Sequence, residues 1–247
     1  MRTIQELFQS APSPRLRGEG WGEGQVFAII PTLNAADTLP GLVEQLHASA
    51  IVKEIIVVDG GSSDDSVCIA KAAGARVIET MRGRGLQLAG GAAAALGEWL
   101  LFLHADCQLE PDFETAVRAF LATQAADARA GYFDFAVDDT APAARWLESI
   151  VAWRCRVLAL PYGDQGLLIS RSLYRAVGGF APLPLMEDVD LVRRLGRRRL
   201  ARIGARCISS PKRYRREGYW RRPLRNLFCL SLYLAGVSPD RIVRLYG

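Results

Sequence analysis

No apolar run in these 247 residues is long enough to cross a bilayer, which takes about 20 consecutive apolar positions. The nearest stretch, 224–237, is short and contains Arg225 and Asn226. The first 25 residues lack the apolar core of a secretory leader, so no leader is expected there. No CxxC pair occurs, and the five cysteines (Cys68, Cys107, Cys155, Cys207, Cys229) are odd in number and scattered. That argues against a zinc or redox site of that kind and fits a reducing compartment. The expected location is the cytoplasm, with peripheral contact to the inner face of the membrane left open.

What is present is the make-up of an ordinary globular protein: 50% hydrophobic, 9% aromatic and 23% charged residues. The length suffices for one large domain or two small ones. The net charge of +5 is modest but unevenly spread. Residues 193–225 hold 14 basic side chains against one acid, Glu217, so the remainder is net acidic and this segment seeks anionic company.

Residues 1–24 are rich in Gly, Pro, Ser and charge, and bury too little apolar surface to offset their ordering entropy. They are expected to be a flexible extension. Apolar runs at 26–30, 55–58 and 99–103 read as buried strands, and 75–79 makes a further strand, the third in chain order. Helical spacing follows the first from about residue 37, through Leu39, Leu42, Val43 and Leu46. After the second strand, Ser63 with Asp64 and Asp65 reads as an N-cap and an acidic first turn, and that helix stops at Gly74. An alanine-rich helix at 86–96 precedes the fourth strand. Four strand–helix alternations predict an α/β fold, a mostly parallel twisted sheet with helices on both faces. Beyond it, helices are expected at 112–123, 143–160 and 187–199, and strands at 131–137 and 166–170. The absence of a later linker predicts one domain over 25–247, ending in a basic and apolar helical segment at 220–247.

In open parallel sheets ligands bind beyond the carboxyl ends of strands. Three such ends carry suggestive residues: Pro31-Thr32-Leu33-Asn34, Asp59-Gly60-Gly61-Ser62 and His104-Ala105-Asp106. An aspartate just past a buried strand can accept hydrogen bonds from a ribose or a base. Donors at i and i+2 project on one side of an extended segment, so His104 and Asp106 could share a cation. Taken singly, each has a plainer reading: a tight turn feeding a helix, a hydrogen-bonded histidine at a strand end, or acids at a helix start.

As a set, Ile29-Ile30-Pro31-Thr32-Leu33-Asn34, Ile56-Val57-Val58-Asp59-Gly60-Gly61-Ser62-Ser63-Asp64 and Phe102-Leu103-His104-Ala105-Asp106 resemble the inverting family 2 glycosyltransferases of GT-A fold. Gly163-Asp164-Gln165-Gly166, Gly178-Gly179-Phe180 and Met186-Glu187-Asp188 resemble that family's acceptor side, in a small bacterial subgroup with undefined acceptor. The resemblance covers about residues 26–220. It implies a nucleoside-diphosphate sugar as donor and a hydroxyl acceptor. Asp59 would contact the nucleoside with the loop around Pro31, Thr32 and Asn34. Asp106, at the end of the counterpart of an Asp-x-Asp motif, would bind Mg²⁺ or Mn²⁺ on the diphosphate, and Asp188 would be the general base. Arg82 and Arg84 would approach the phosphates. Gln165, Glu187, Arg213 and Arg216 would lie on the acceptor and diphosphate side, the basic run at 212–216 closing over the donor.

Two departures stand out. His104 replaces the first carboxylate of the metal motif, which leaves both the cation and the role of His104 open, because hard Mg²⁺ prefers oxygen and imidazole suits Mn²⁺. Ala35 stands where many relatives carry an acid. The Gly83-Arg84-Gly85 turn is no dinucleotide fingerprint, since Leu88 occupies the third glycine position. A sugar nucleotidyltransferase would carry a Gly-rich basic loop after the first strand, where Pro31-Thr32-Leu33-Asn34 stands. The arginine cluster has two other readings. One is an anionic membrane surface met by Trp220, Arg221, Arg222, Leu224, Leu227, Phe228 and Leu230. The other is nucleic acid, disfavoured because no motif accompanies it. A non-catalytic nucleotide- or membrane-binding module remains the alternative from another class.

Overall fold

The computed structural model describes residues 24–246 except Gln124 and Gly163, so all but the last residue of the expected extension at 1–24 lies outside the described residues. The chain runs β1 (Val26–Thr32), α1 (Leu39–His47), β2 (Val52–Asp59), α2 (Ser66–Ala72), β3 (Arg76–Glu79), α3 (Arg84–Ala94) and β4 (Trp99–Phe102). It continues through β5 (Cys107–Leu109), α4 (Phe113–Leu121), β6 (Ala130–Val137), α5 (Pro142–Leu158), β7 (Leu167–Ser170) and α6 (Arg171–Ala176). It closes with α7 (Glu187–Leu195), β8 (Leu200–Ser209), α8 (Lys212–Glu217), α9 (Arg221–Leu234) and α10 (Pro239–Tyr246).

The strands form one sheet in the order β3-β2-β1-β4-β7-β6-β8-β5. The first four are mutually parallel, as expected, and β6 pairs parallel with β8, while β7 and β5 run antiparallel to their neighbours. Two cores cover the two faces, and β1 shows why. Val26, Ala28 and Ile30 face one core with the apolar stripe of α1, Leu39, Leu42, Val43 and Leu46. Phe27 and Ile29 face the other with Leu88 and Ala92 of α3 and Leu191 and Val192 of α7. Alternate side chains of one strand thus enter opposite layers, which is how a continuous apolar run acts as a central strand.

Pro31 does not end β1, contrary to expectation; the strand runs on to Thr32. Odd-numbered residues of β1 face β4, as shown by the bond from Leu103 N to Ile29 O, and the β4 register stops at Ile29. The missing N–H of Pro31 therefore falls where the β4 ladder ends and leaves the β2 ladder, served by even-numbered residues, intact. Ser63 is not the cap of α2. It donates from its backbone N–H to Asn34 Oδ1, and the helix starts at Ser66, whose N–H and hydroxyl both bond Asp64 Oδ1. The helix expected over 187–199 ends at Leu195, where Gly196 takes φ 71° and a 3₁₀ turn follows. No described helix is long and apolar enough to cross a membrane.

Candidate active site

Strand order reverses between β1 and β4: from β1 the chain steps outward to β2 and β3, then returns to the other side of β1. A crevice at such a switch point lies outside the carboxyl ends of both strands. A cleft of about 750 Å³ opens there, walled by the loop after β1, the turn after β4, the start of α3 and the start of α8. It brings together Pro31, Thr32, Asn34, Arg82, Arg84, His104, Ala105, Asp106 and Arg213, all expected from sequence.

The loops are rigidly laced. Asn34 sits at φ 50°, a conformation asparagine tolerates, and its amide oxygen accepts from Ser63 N at 2.8 Å. Ala35 and Ala36 donate to Ser66 Oγ and Asp64 Oδ2 at 2.8 and 3.1 Å. Gln87, buried in α3, donates to the carbonyls of Thr32 and Val58, each at 2.8 Å, and so clamps the ends of β1 and β2. Sequence reasoning passed over this glutamine; an uncharged polar residue on an otherwise apolar helix face was the signal. Gly85 lets the first turn of α3 meet the 181–183 segment, since a Cβ there would stand 2.3 Å from Ala181 O and 2.8 Å from Leu183 O.

The 104–106 segment is a turn, not the extended piece expected, yet His104 and Asp106 both line the cleft. His104 Nδ1 lies 2.9 Å from Asp164 Oδ1. Burial opposes the charged imidazole most strongly, but the Asp164 bond together with the charges of Asp164 and Asp106 raises the His104 pKa. Burial likewise opposes the Asp164 carboxylate, yet the His104 bond with the charges of His104, Arg222 and Arg84 holds it below the ordinary carboxylate range. Asp164 Oδ2 also accepts from Tyr214 OH at 3.4 Å. Asp106 meets Arg213 Nη1 at 3.4 Å, and Lys212 reaches Asp37 at 3.2 Å, so α8 leans over the cleft.

A second cavity, of about 300 Å³, lies beside the first and holds Asp188, Asp164, Arg154 and Tyr162 at its polar end. Arg84 lines both cavities. Its guanidinium forks between Glu187, whose side chain is wholly buried, and Asp188 Oδ2 at 3.3 Å. Burial would lower the Arg84 pKa, but the charges of Glu187 and Asp188 hold it above its ordinary value. Burial pushes Glu187 up against the pull of Arg84.

Other expected residues stand apart. Asp59 is buried and spends its carboxylate on its own turn, accepting from Gly61 N, Ser62 N and Ser62 Oγ at 2.8, 2.9 and 2.5 Å. Gln165 is buried, donating to Phe133 O and accepting from Arg154 and Cys155. Arg216 is exposed and lines neither cavity, pairing with Glu217 at 3.5 Å. The structure brings none of these three to the cleft.

A switch-point cleft on a mostly parallel, two-layer-covered sheet, with carboxylates at its strand ends, defines a GT-A type fold. Residues 27–173 match the model of glycosyl transferase family 2, and the chain belongs to that family, whose members transfer glycosyl groups. A PGL/p-HBAD biosynthesis glycosyltransferase of Mycobacterium tuberculosis is 38% identical over 102 residues, a stretch covering 38% of this chain and 40% of that protein. Glucosyl-3-phosphoglycerate synthase from Mycobacterium tuberculosis, solved with Mn²⁺, UDP-glucose and phosphoglyceric acid, superposes with TM-score 0.54 at 24% identity, over 76% of each chain. TarS 1–349 of S. aureus superposes with TM-score 0.59 at 15% identity, over 77% of this chain and 62% of that one.

Proposed function

We propose that this chain transfers a sugar from a nucleoside-diphosphate donor to a hydroxyl acceptor with inversion, assisted by Mn²⁺ or Mg²⁺. The observation carrying this reading is the pairing of a switch-point cleft with a second cavity holding Asp188, the two meeting at Arg84. The donor lies along the loop after β1, with its diphosphate near Arg82, Arg84 and Arg213. The acceptor hydroxyl enters from the second cavity and attacks the anomeric carbon opposite the diphosphate. The new C–O bond forms as the old one to phosphate breaks, the nucleoside diphosphate leaves with the electron pair, and Asp188 takes the hydroxyl proton. Attack and departure on opposite faces invert the anomeric centre.

Asp106 and His104 would hold the cation. The Asp164 bond to Nδ1 orients the imidazole as carboxylate partners of metal-bound histidines do. No group of three His, Cys, Asp or Glu side chains gathers among the described residues, so the diphosphate and water would have to supply its other ligands, a division usual for Mg²⁺ and its like. Bound there, the cation supplies charge stabilisation for the departing diphosphate. The Mn²⁺ and UDP-glucose carried by the mycobacterial synthase support this reading. Because the first cleft draws on residues from Pro31 to Val243, we also read 25–247 as one domain.

The test is a thermal-shift screen of UDP, GDP, CDP and TDP, each with Mn²⁺, Mg²⁺ or EDTA. At a hundredfold excess over Kd, binding adds about 2.7 kcal/mol. For a chain of this size that is about 5–10 °C in Tm. One nucleotide should act only with metal and fail in Asp106→Ala. No shift with any nucleotide sinks the proposal.

A further inference from the structure

The second cavity is two-faced. Its inner end offers hydrogen-bonding groups from Arg84, Arg154, Asp164 and Asp188, whereas its mouth is built from Trp146, Ile150, Trp220, Leu224 and Leu227. A freely soluble polar acceptor would use only the first and leave the second wet.

The mouth continues onto the surface. On α5, Trp146, Ile150, Trp153 and Val157 stand at i, i+4, i+7 and i+11, one helix face, and all are exposed. At α9, Trp220, Leu224, Leu227 and Phe228 stand at i, i+4, i+7 and i+8, again one face, and are 54–62% exposed. Both stripes face solvent rather than a core, and the rings of Trp146 and Trp220 join them at a centroid distance of 4.1 Å. Leu230, counted with this face from sequence, is instead buried with Cys229 against Val189. Contiguous apolar surface of this kind marks an interaction site.

Charge selects the occupant. Helices α5 and α9 together carry six arginines and one acid, Glu148; Arg145 pairs with Glu148, Arg222 and Arg225 pair with Glu217 of α8, and Arg154 turns inward to Gln165. Arg156 and Arg221 are exposed without an ion-pair partner among the described residues. A second copy of this chain would set one basic face against another. An anionic bilayer satisfies both the stripes and the outward Arg156 and Arg221, and Trp with Arg is the composition that interfacial helices show.

We infer that the α5/α9 face and the cavity behind it form one acceptor site, for an amphipathic alcohol presented from an anionic lipid surface. The inference rests on the reading of Asp188 as base. The alcohol's apolar body lies between Trp146 and Leu227 and its hydroxyl points inward. That oxygen bonds to the anomeric carbon as the bond to diphosphate breaks, and its proton passes to Asp188.

The test uses the full chain and vesicles of phosphatidylcholine with phosphatidylglycerol, their acyl chains brominated to quench tryptophan. At physiological salt the protein should cosediment with these vesicles and lose fluorescence. Binding should be about 30-fold weaker to phosphatidylcholine alone, since each of the two outward arginines adds about 1 kcal/mol. Leu224→Glu/Leu227→Glu should abolish both signals while keeping the metal-dependent nucleotide shift, which also reports its folding. Dodecyl glucoside below its micelle concentration should alter wild-type tryptophan emission, glucose should not, and Ile150→Glu should remove the response. Absent vesicle binding with an intact nucleotide shift overturns the inference and leaves the donor reading standing. So does glucose acting like dodecyl glucoside, or a stable dimer that the double substitution dissociates. Loss of the nucleotide shift in the wild type removes the donor reading, and the acceptor role falls with it.

Discussion

Asp164 grips the Nδ1 edge of His104 at 2.9 Å across 60 residues of sequence, which leaves Nε2 as the ring atom available to a cation. Asp164→Asn should weaken Mn²⁺ binding in the presence of nucleotide by about 10–100-fold, as loss of such partners does. Calorimetric titration of Mn²⁺ into the nucleotide complex reads this directly. Unchanged affinity would place His104 away from the metal.

Arg84 is the partner of a fully buried carboxylate. Arg84→Met should cost about 3–5 kcal/mol by leaving Glu187 unpaired. Arg84→Met/Glu187→Met should recover most of that loss in urea unfolding. The sign with pH follows from Glu187, whose folded pKa burial raises, so its protonated form suits the fold. In Arg84→Met the stability deficit should therefore be largest at neutral pH and shrink as pH falls toward the carboxylate range. A deficit independent of pH would mean that Glu187 is not the group left exposed to the penalty.

The proposed role of Asp188 is to serve the acceptor and not the donor. Asp188→Asn should lower turnover by about 10²–10⁴-fold, the usual share of a general base. The metal-dependent nucleotide shift should stay as in the wild type. A variant that loses nucleotide binding as well would assign Asp188 to the donor side.

Gly85 sets the distance between α3 and the 181–183 segment leading to Asp188. A methyl group there meets backbone carbonyls, which cannot rotate away as a side chain would. Gly85→Ala should cost about 1–3 kcal/mol in denaturant midpoint. Turnover should fall further than stability alone explains, because Asp188 moves with the displaced segment. Activity equal to wild type would show that the segment adjusts freely.

The parallel half of the sheet was legible because its three inner strands each hold an unbroken apolar run closed by a polar turn, as with Ile55 to Asp59. In the other half β6 and β7 lie where strands were expected, but β5 and β8 were missed. Strand β8 alternates correctly, with Ile203, Ala205, Cys207 and Ser209 buried, but Arg202, Gly204 and Arg206 between them read as part of a basic surface. Arg202 and Arg206 in fact pair with Asp134 and Glu110 across the sheet, contacts that no local pattern announces. The cleft residues at strand ends were found because strand ends are legible. Asp164 and Gln87 were missed as site residues because their roles depend on partners 60 and 55 residues away. Asp59 shows the reverse case: a carboxylate at the right strand end can be consumed by its own turn.

Arg84 is the seam at which two separately encoded halves meet. Apart from Pro184, Ser210, Lys212, Arg213 and Val243, the first cleft is drawn from residues before 107, while every residue of the second cavity other than Arg84 lies beyond 134. Drift in the later half can then retune what receives the sugar while the earlier half goes on reading the same donor. A lineage could diversify its products by altering α5 and α9 alone, and chimaeras that exchange those helices between relatives should keep their nucleotide preference and change their acceptor.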